Sequence, residues 1–171
     1  MWKILGLILV VLGVAGVLYS WIGILKEREG CLEEFLVFLK KALFAMKTEK
    51  VKVIDFFAKY NTKDALLEEI LKEVAGRLST NTYPNGQMVW EEVFREEEQN
   101  LNFDHEVIEC IVQAGNGFFG RSRAENISFL EKSIKELEKQ LEKMKEKNIQ
   151  ERKVWLPVGM LGALMLVIIL L

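Results

Sequence analysis

Few residues in this chain are equipped for chemistry. One histidine, His105, stands between Asp104 and Glu106, and the two cysteines, Cys31 and Cys110, lie far apart in sequence. That set is too small for a recognisable metal site or disulfide scaffold. A histidine without a partner in a pocket is a poor general base, so His105 reads as a surface or capping residue. Both cysteines read as small apolar core residues. Gly115-Asn116-Gly117-Phe118-Phe119-Gly120 spells G-x-G-x-x-G. The dinucleotide fingerprint needs a preceding strand and a βαβ unit. Here a helical pattern precedes it, so the run reads as a helix end and tight loop before Ser122. No G-x-x-x-x-G-K-[ST] sequence occurs, so the chain is not a P-loop ATPase. Asn126-Ile127-Ser128 spells a glycosylation site but falls in a helical pattern. The acidic cluster Glu91–Glu98 reads as a solvated face, with docking to a basic partner as its functional alternative. The Lys135, Lys139, Lys143 and Lys147 row beside Glu138, Glu142 and Glu146 reads as a salt-laced helix surface. No catalytic residue, cofactor or metal ligand is expected, nor an enzyme.

The elements that carry these residues are set by a segregated composition. Ile4 to Leu25 contains no charged side chain in 22 residues, and Val154 to Leu171 none in 18. The stretch 26–153 holds 22 basic and all 25 acidic residues. This near-balance excludes a strongly basic nucleic-acid binder and a disordered chain. Twenty-two helical residues reach about 33 Å, enough for a hydrocarbon core of about 30 Å. The expected organisation is a transmembrane helix at 1–25, a cytoplasmic helical-bundle domain at 26–153 and a second transmembrane helix at 154–171. Trp2, Tyr19, Trp21 and Trp155 stand at or near the segment ends, where amphipathic rings favour the interface. A cleaved signal peptide is the alternative for the first run, but its length exceeds the usual h-region of about 7–15 residues. Lys26, Arg28, Lys40 and Lys41, with the lysines and arginine of 135–153, place the middle on the cytoplasmic side. Its thiols should stay reduced. Neither apolar run carries an ionisable residue, so both read as anchors rather than a permeation path. Gly6, Gly13 and Ser20, with Gly16 and Gly23 offset by three, and Gly159 with Ala163, form small-residue seams that would let membrane helices pack closely.

Helical periodicity fills the middle, and the fold class is all-α. Five or six cytoplasmic helices are expected in an up-down bundle. Leaving and re-entering one membrane face requires an even number of passes, which favours six, with a joint near Thr48. Phe35–Met46 is apolar on nearly every face and should be central. Asn61 or Thr62 should cap a helix that buries Leu67, Ile70, Leu71, Val74 and Leu78. Trp90, Val93 and Phe94 face inward on the next helix; Val107, Ile108, Ile111 and Val112 on another. Ser122 and Glu125 have capping-box spacing. Ile127, Leu130, Ile134, Leu137, Leu141 and Met144 then make a coiled-coil-like seam, and Pro157 should kink the helix. The first and last helices should pack antiparallel at a constant residue sum of 180, pairing Leu36 with Met144 and Leu39 with Leu141. The loop before the last helix, with Phe118, Phe119, Arg121 and Arg123, is the candidate partner interface, because aromatics and arginine dominate interfaces.

The chain resembles the stage III sporulation protein AB family. The residues that carry the resemblance are Met1-Trp2-Lys3 with Gly6; Leu32, Leu36, Leu39, Ala42-Leu43 and Glu49; Phe119-Gly120-Arg121-Ser122, Glu125-Asn126-Ile127 and Leu130; and Trp155-Leu156, Gly159, Leu161-Gly162 and the ending Leu166–Leu171. Arg123 stands where the family pattern has Asp, and Asn126 where it has Gln. The resemblance implies a non-enzymatic platform or adaptor in the channel complex between mother cell and forespore. Its fold would be similar to the helical cytoplasmic domains of the inner-membrane platform of type II secretion and type IV pili. It would couple a cytoplasmic secretion-type ATPase to membrane components, on the mother-cell side of the outer forespore membrane. Other sporulation channel proteins, and a homo-oligomer, are the further partners. The alternative function is a two-helix membrane sensor that transmits a signal to a cytoplasmic partner.

Overall fold

The computed structural model describes residues 2–48, 53–80, 84–120 and 122–170; the side chains of residues 2–8, 10, 11, 167, 169 and 170 stand outside that description. Within it the chain is all helix: α1 (Trp2–Thr48), α2 (Val53–Lys59), α3 (Ala65–Ser79), α4 (Gly86–Glu96), α5 (Glu98–Leu101), α6 (His105–Ala114), α7 (Asn116–Phe119) and α8 (Arg123–Leu170). The excess over the five or six helices expected comes from α5 and α7, single turns of four residues each. Turns this short carry no periodicity by which to detect them. Pro157 lies inside α8, which continues through it.

Among the described residues no helix is long and apolar enough to cross a membrane. This corrects the expectation of two transmembrane helices flanking an up-down bundle. Instead α1 and α8 run on as continuous helices of 47 and 48 residues, each joining an apolar end to a charged stretch.

Two compact units divide the chain: Gly30–Glu142, and Met1–Glu29 with Lys143–Leu171. The core of the Gly30–Glu142 unit is built on the apolar middle of α1. Leu32, Phe35, Phe38 and Leu39 are fully buried there, while Phe44 is 68% exposed, so α1 is covered on most faces but not all. Around it α3 presents Leu67, Ile70, Leu71 and Val74, and α4 presents Val89, Trp90, Val93 and Phe94. α6 presents Val107, Ile108, Ile111 and Val112. These are the faces that 3.6-residue periodicity selects. Aromatic rings occupy the centre: Trp90 lies 4.5 Å from Phe94 and 5.3 Å from Phe118, and Phe57 meets Phe118 edge-on at 4.9 Å. Each such ring stabilises the fold by about 1.5–3 kcal/mol through burial alone.

Local signals start the helices. Asp64 caps α3, its carboxylate accepting from the Leu67 amide at 2.9 Å. This corrects the expected cap, Asn61 or Thr62; the Thr62 hydroxyl donates to Glu34 of α1 at 3.0 Å. Asn85 caps α4 by accepting from Met88 N, with Gly86 as the first helical residue. The Glu125 amide donates to Ser122 Oγ at 3.3 Å, the first half of a capping box.

α1 and α8 run antiparallel. In the Gly30–Glu142 unit, Lys40 pairs with Glu138 at 2.7 Å and Lys47 with Glu131 at 2.5 Å. In the other unit, Asn148, only 4% exposed, donates to Glu29 at 2.6 Å, and a Cβ on Gly159 would fall 2.9 Å from Leu18 Cδ1. Each of these pairs adds to two or three less than the expected 180. A buried Asn at a helix seam fixes register, because any slip strands its amide without a partner. Leu130, Ile134, Leu137 and Met144 are buried along α8, with Ile127 and Leu141 only half-buried.

Candidate functional site

The turn from α6 through α7 into α8 brings together most of the residues that sequence reasoning singled out. A helix ending at Ala114 leaves its last carbonyl groups without intrahelical donors. Side chains join the Gly115 N–H, which reaches Val112 O at 3.2 Å, in supplying them. Trp90 Nε1 donates to Ile111 O at 2.9 Å, Gln87 Nε2 to Val112 O at 3.0 Å and Asn116 Nδ2 to Gln113 O at 3.2 Å. Asn126 of α8 reaches back to Phe118 O at 3.4 Å. The glycines between them are sites of contact. A Cβ on Gly115 would lie 2.5 Å from Trp90 Cδ1, and one on Gly117 would lie 2.5 Å from Leu130 Cγ. Gly120 is closed by Asn126, and Gly86 by the ring of Phe119. Gly115 has φ −56°, ψ −32°, and Gly120 has φ −70°, ψ 171°; neither needs glycine's conformational freedom. The Gly115–Gly120 run therefore lets α4, α7 and α8 touch. Three of its amides are spent on backbone carbonyls: Gly115 N–H donates to Val112 O, and Phe118 and Phe119 N–H to Gly115 O.

Phe118 is buried, its ring 5.8 Å from Phe38. Phe119 is half-buried against Gly86. Arg123 is exposed and donates through Nε to Met46 O at 2.8 Å, joining the start of α8 to the end of α1. Arg121 lies outside the described residues. Beside Phe118 a shallow apolar cleft, enclosing about 10 Å³, is lined by Ala42, Ala45, Met46, Val53, Phe56 and Phe118.

The small-residue seams divide. Gly159 stands against Leu18, and Ala163 is half-buried. A Cβ on Gly13, Gly16 or Gly23 would meet nothing within 4 Å. Gly6 lies outside the described side chains.

The charged clusters are built around two arginines. Arg77 of α3 binds Glu73 at 2.8 Å, Glu92 at 3.4 Å and Glu96 at 2.6 Å. Its guanidinium is held above its ordinary pKa first by the hydrogen bond to Glu96 and then by that to Glu73. The same bond holds the Glu96 carboxyl below the ordinary glutamate range. Arg95 bridges Glu91 and Glu109, each at 2.9 Å. His105 is exposed, 3.5 Å from Glu98. Among the described residues no group of three or more potential ligands could hold a metal ion. Both cysteines are free. Burial, with the neighbouring Asp64, pushes the Cys31 thiol up to about 12. Sequence reasoning missed Arg77, Asp64 and Asn148, whose importance comes from partners on other helices. The Asn at a heptad step from Leu141 was the one available signal.

A family model described as stage III sporulation protein AB matches residues 3–171. The chain belongs to that family, whose members are stage III sporulation proteins. No curated protein and no solved structure matches it. Of the residues that carry the resemblance, Phe119, Gly120, Ser122, Asn126 and Leu130 are the ones that form the α6–α8 turn.

Proposed function

We propose that this sporulation protein is a non-enzymatic adaptor of the channel complex between mother cell and forespore. It couples a cytoplasmic secretion-type ATPase to membrane components, on the mother-cell side of the outer forespore membrane. The observation that carries this reading is the contrast between the two units. The Gly30–Glu142 unit is a packed helical core whose polar side chains at the α6–α8 turn hold backbone carbonyls and neighbouring helices. The other unit leaves apolar side chains on its surface: Val17 is 70% exposed, Tyr19 83% and Met165 69%. Apolar surface on that scale marks a site of contact with membrane or protein. The ATPase enters through the family resemblance.

The test is co-purification. The full chain, extracted from sporulating cells in mild detergent, should retain the secretion-type ATPase. Exchanging Arg121→Glu together with Arg123→Glu should weaken that retention and change its salt dependence, since rim charge acts mainly on association. An ATPase that never co-purifies with the wild-type chain would exclude the coupling role.

A further inference from the structure

In the unit made of Met1–Glu29 and Lys143–Leu171, unpaired cations mark the edge of the exposed apolar surface. The register of the two helices puts them at one level. Asn148 meets Glu29, and Gly159 lies against Leu18. By that register Arg152 of α8 faces Leu25 of α1, which is buried, and Lys153 and Lys26 are their neighbours in sequence. Both lysines are exposed, and Arg152 is half-buried. Arg152 Nε and Nη2 have no hydrogen-bond partner. Among the described residues, neither Lys26 nor Lys153 has an ion-pair partner. The other unit differs: its Lys40, Lys47, Arg77 and Arg95 are all paired with carboxylates. Glu27 and Glu151 share the level, but over residues 26–29 and 143–153 seven basic residues outnumber four acidic ones. Beyond this collar the surface turns apolar at once. Ile24 and Val17 of α1 are exposed, as are Val154, Trp155 and Val158 of α8.

From this geometry we propose that the collar of Lys26, Arg152 and Lys153 is a binding site for anionic phospholipid. The collar holds the headgroup phosphate, and the acyl chains lie along the exposed apolar side chains of α1 and α8. What the surface asks of its ligand is an anion joined directly to hydrocarbon. A free anion would leave the apolar side chains bare, and an apolar protein face would leave the cations unpaired. Lys26 and Lys153 already stand open to a headgroup. Arg152, whose covered nitrogens lack an acceptor, would gain one by turning outward, and a guanidinium fork matches phosphate oxygens. Long basic side chains cover apolar surface with their stems while their heads reach the polar layer. Trp155 adds an amphipathic ring of the kind that favours the same boundary. Basic residues beside an apolar helix face are the usual means of holding anionic lipid. The inference rests on the reading that the adaptor meets membrane components and deepens it: it names the headgroup chemistry and the residues that receive it.

The test loads the full chain, in mild detergent, with an equimolar mixture of phosphatidylglycerol and phosphatidylcholine, removes free lipid and counts the phospholipid that stays bound. Phosphatidylglycerol should be retained over phosphatidylcholine by about fivefold or more, and less so as salt rises. Lys26→Glu with Arg152→Glu and Lys153→Glu should lower its retention by about tenfold or more. The same three positions changed to Gln carry the test if the Glu variant does not fold. The apolar side chains are identical in all these chains, so the loss reads headgroup recognition rather than acyl contact. Equal retention of the two lipids, or retention unchanged in the variants, overturns the proposal. So does complete displacement of the lipid by millimolar inorganic phosphate, which would make the collar a free-anion site. A chain that self-associates and holds no phospholipid overturns it too, giving the apolar face to a second copy. The ATPase pull-down separates the two readings. Phosphatidylglycerol bound without ATPase retention removes the adaptor role and keeps the collar. ATPase retained by a chain that binds no phospholipid does the reverse.

Discussion

Gly117 lies so near Leu130 that a Cβ added to it would stand 2.5 Å from Leu130 Cγ and 3.1 Å from the Leu130 backbone nitrogen. The nitrogen belongs to α8 and cannot swing away as a side chain would. Gly117→Ala should therefore push α7 off α8 and cost about 1–3 kcal/mol, as overpacking does. The urea midpoint of the folded unit checks this, and an unchanged midpoint would show that the contact yields without cost.

Trp90 is fully buried and donates to the Ile111 carbonyl. Trp90→Phe keeps an aromatic ring but removes the donor at a helix end already short of donors. A loss of about 1–3 kcal/mol is expected for the unpaired carbonyl, with a further contribution from the smaller ring. Thermal melts of wild type and variant should separate by several degrees. Coincident melts would mean that another donor has taken the carbonyl.

Much of this architecture is legible from residue order. The inward faces of α3, α4 and α6 follow from apolar spacing alone, as does the α8 seam from Leu130 to Met144. The Ser122 cap on α8 is equally local. What is not local is not legible. Asn61, Thr62 and Asp64 are all competent caps, and Asp64 takes the role because Thr62 is held by Glu34 on α1. The Glu91–Glu98 cluster reads as plain solvated charge until α3 places Arg77 beside Glu92 and Glu96. Phe118 reads from the sequence as a candidate partner-facing residue, and only the packed rings of Phe38, Phe57 and Trp90 decide that it is core.

Asp64→Ala should destabilise the Gly30–Glu142 unit by about 0.5–2 kcal/mol, the ordinary value of a lost N-cap. Asp64→Ser, which restores an acceptor, should recover most of it. Amide exchange at Leu67 would report the change at the cap itself, and protection there unaffected by Asp64→Ala would assign the capping elsewhere.

Acid should loosen the helix contacts that carboxylates make. Hydrogen bonds from Arg77 depress the Glu96 pKa, and those from Lys47 depress that of Glu131. A carboxyl whose folded pKa lies below its unfolded one adds stability above the unfolded value, about 4.3 for glutamate. That contribution disappears as pH falls through the folded value. Stability should thus be insensitive to these groups above about pH 5 and should decline below about pH 4. Arg77→Gln should flatten the decline, and high salt should reduce it because the pairs are exposed. A pH profile identical in wild type and Arg77→Gln would assign the acid sensitivity to other groups.

The thiol of Cys31, buried and held protonated by that burial and by the neighbouring cap carboxylate of α3, has a further use. With its pKa at about 12, only about one thiol in 10⁵ is ionised at pH 7, and the thiolate is the species that alkylating reagents attack. Modification must wait until α3 has lifted from α1. The rate at which iodoacetamide marks Cys31 then counts those openings directly, a clock built into the native sequence that needs no introduced label. Run with and without the proposed ATPase partner, it would register whether the helices around α1 loosen when that partner is present.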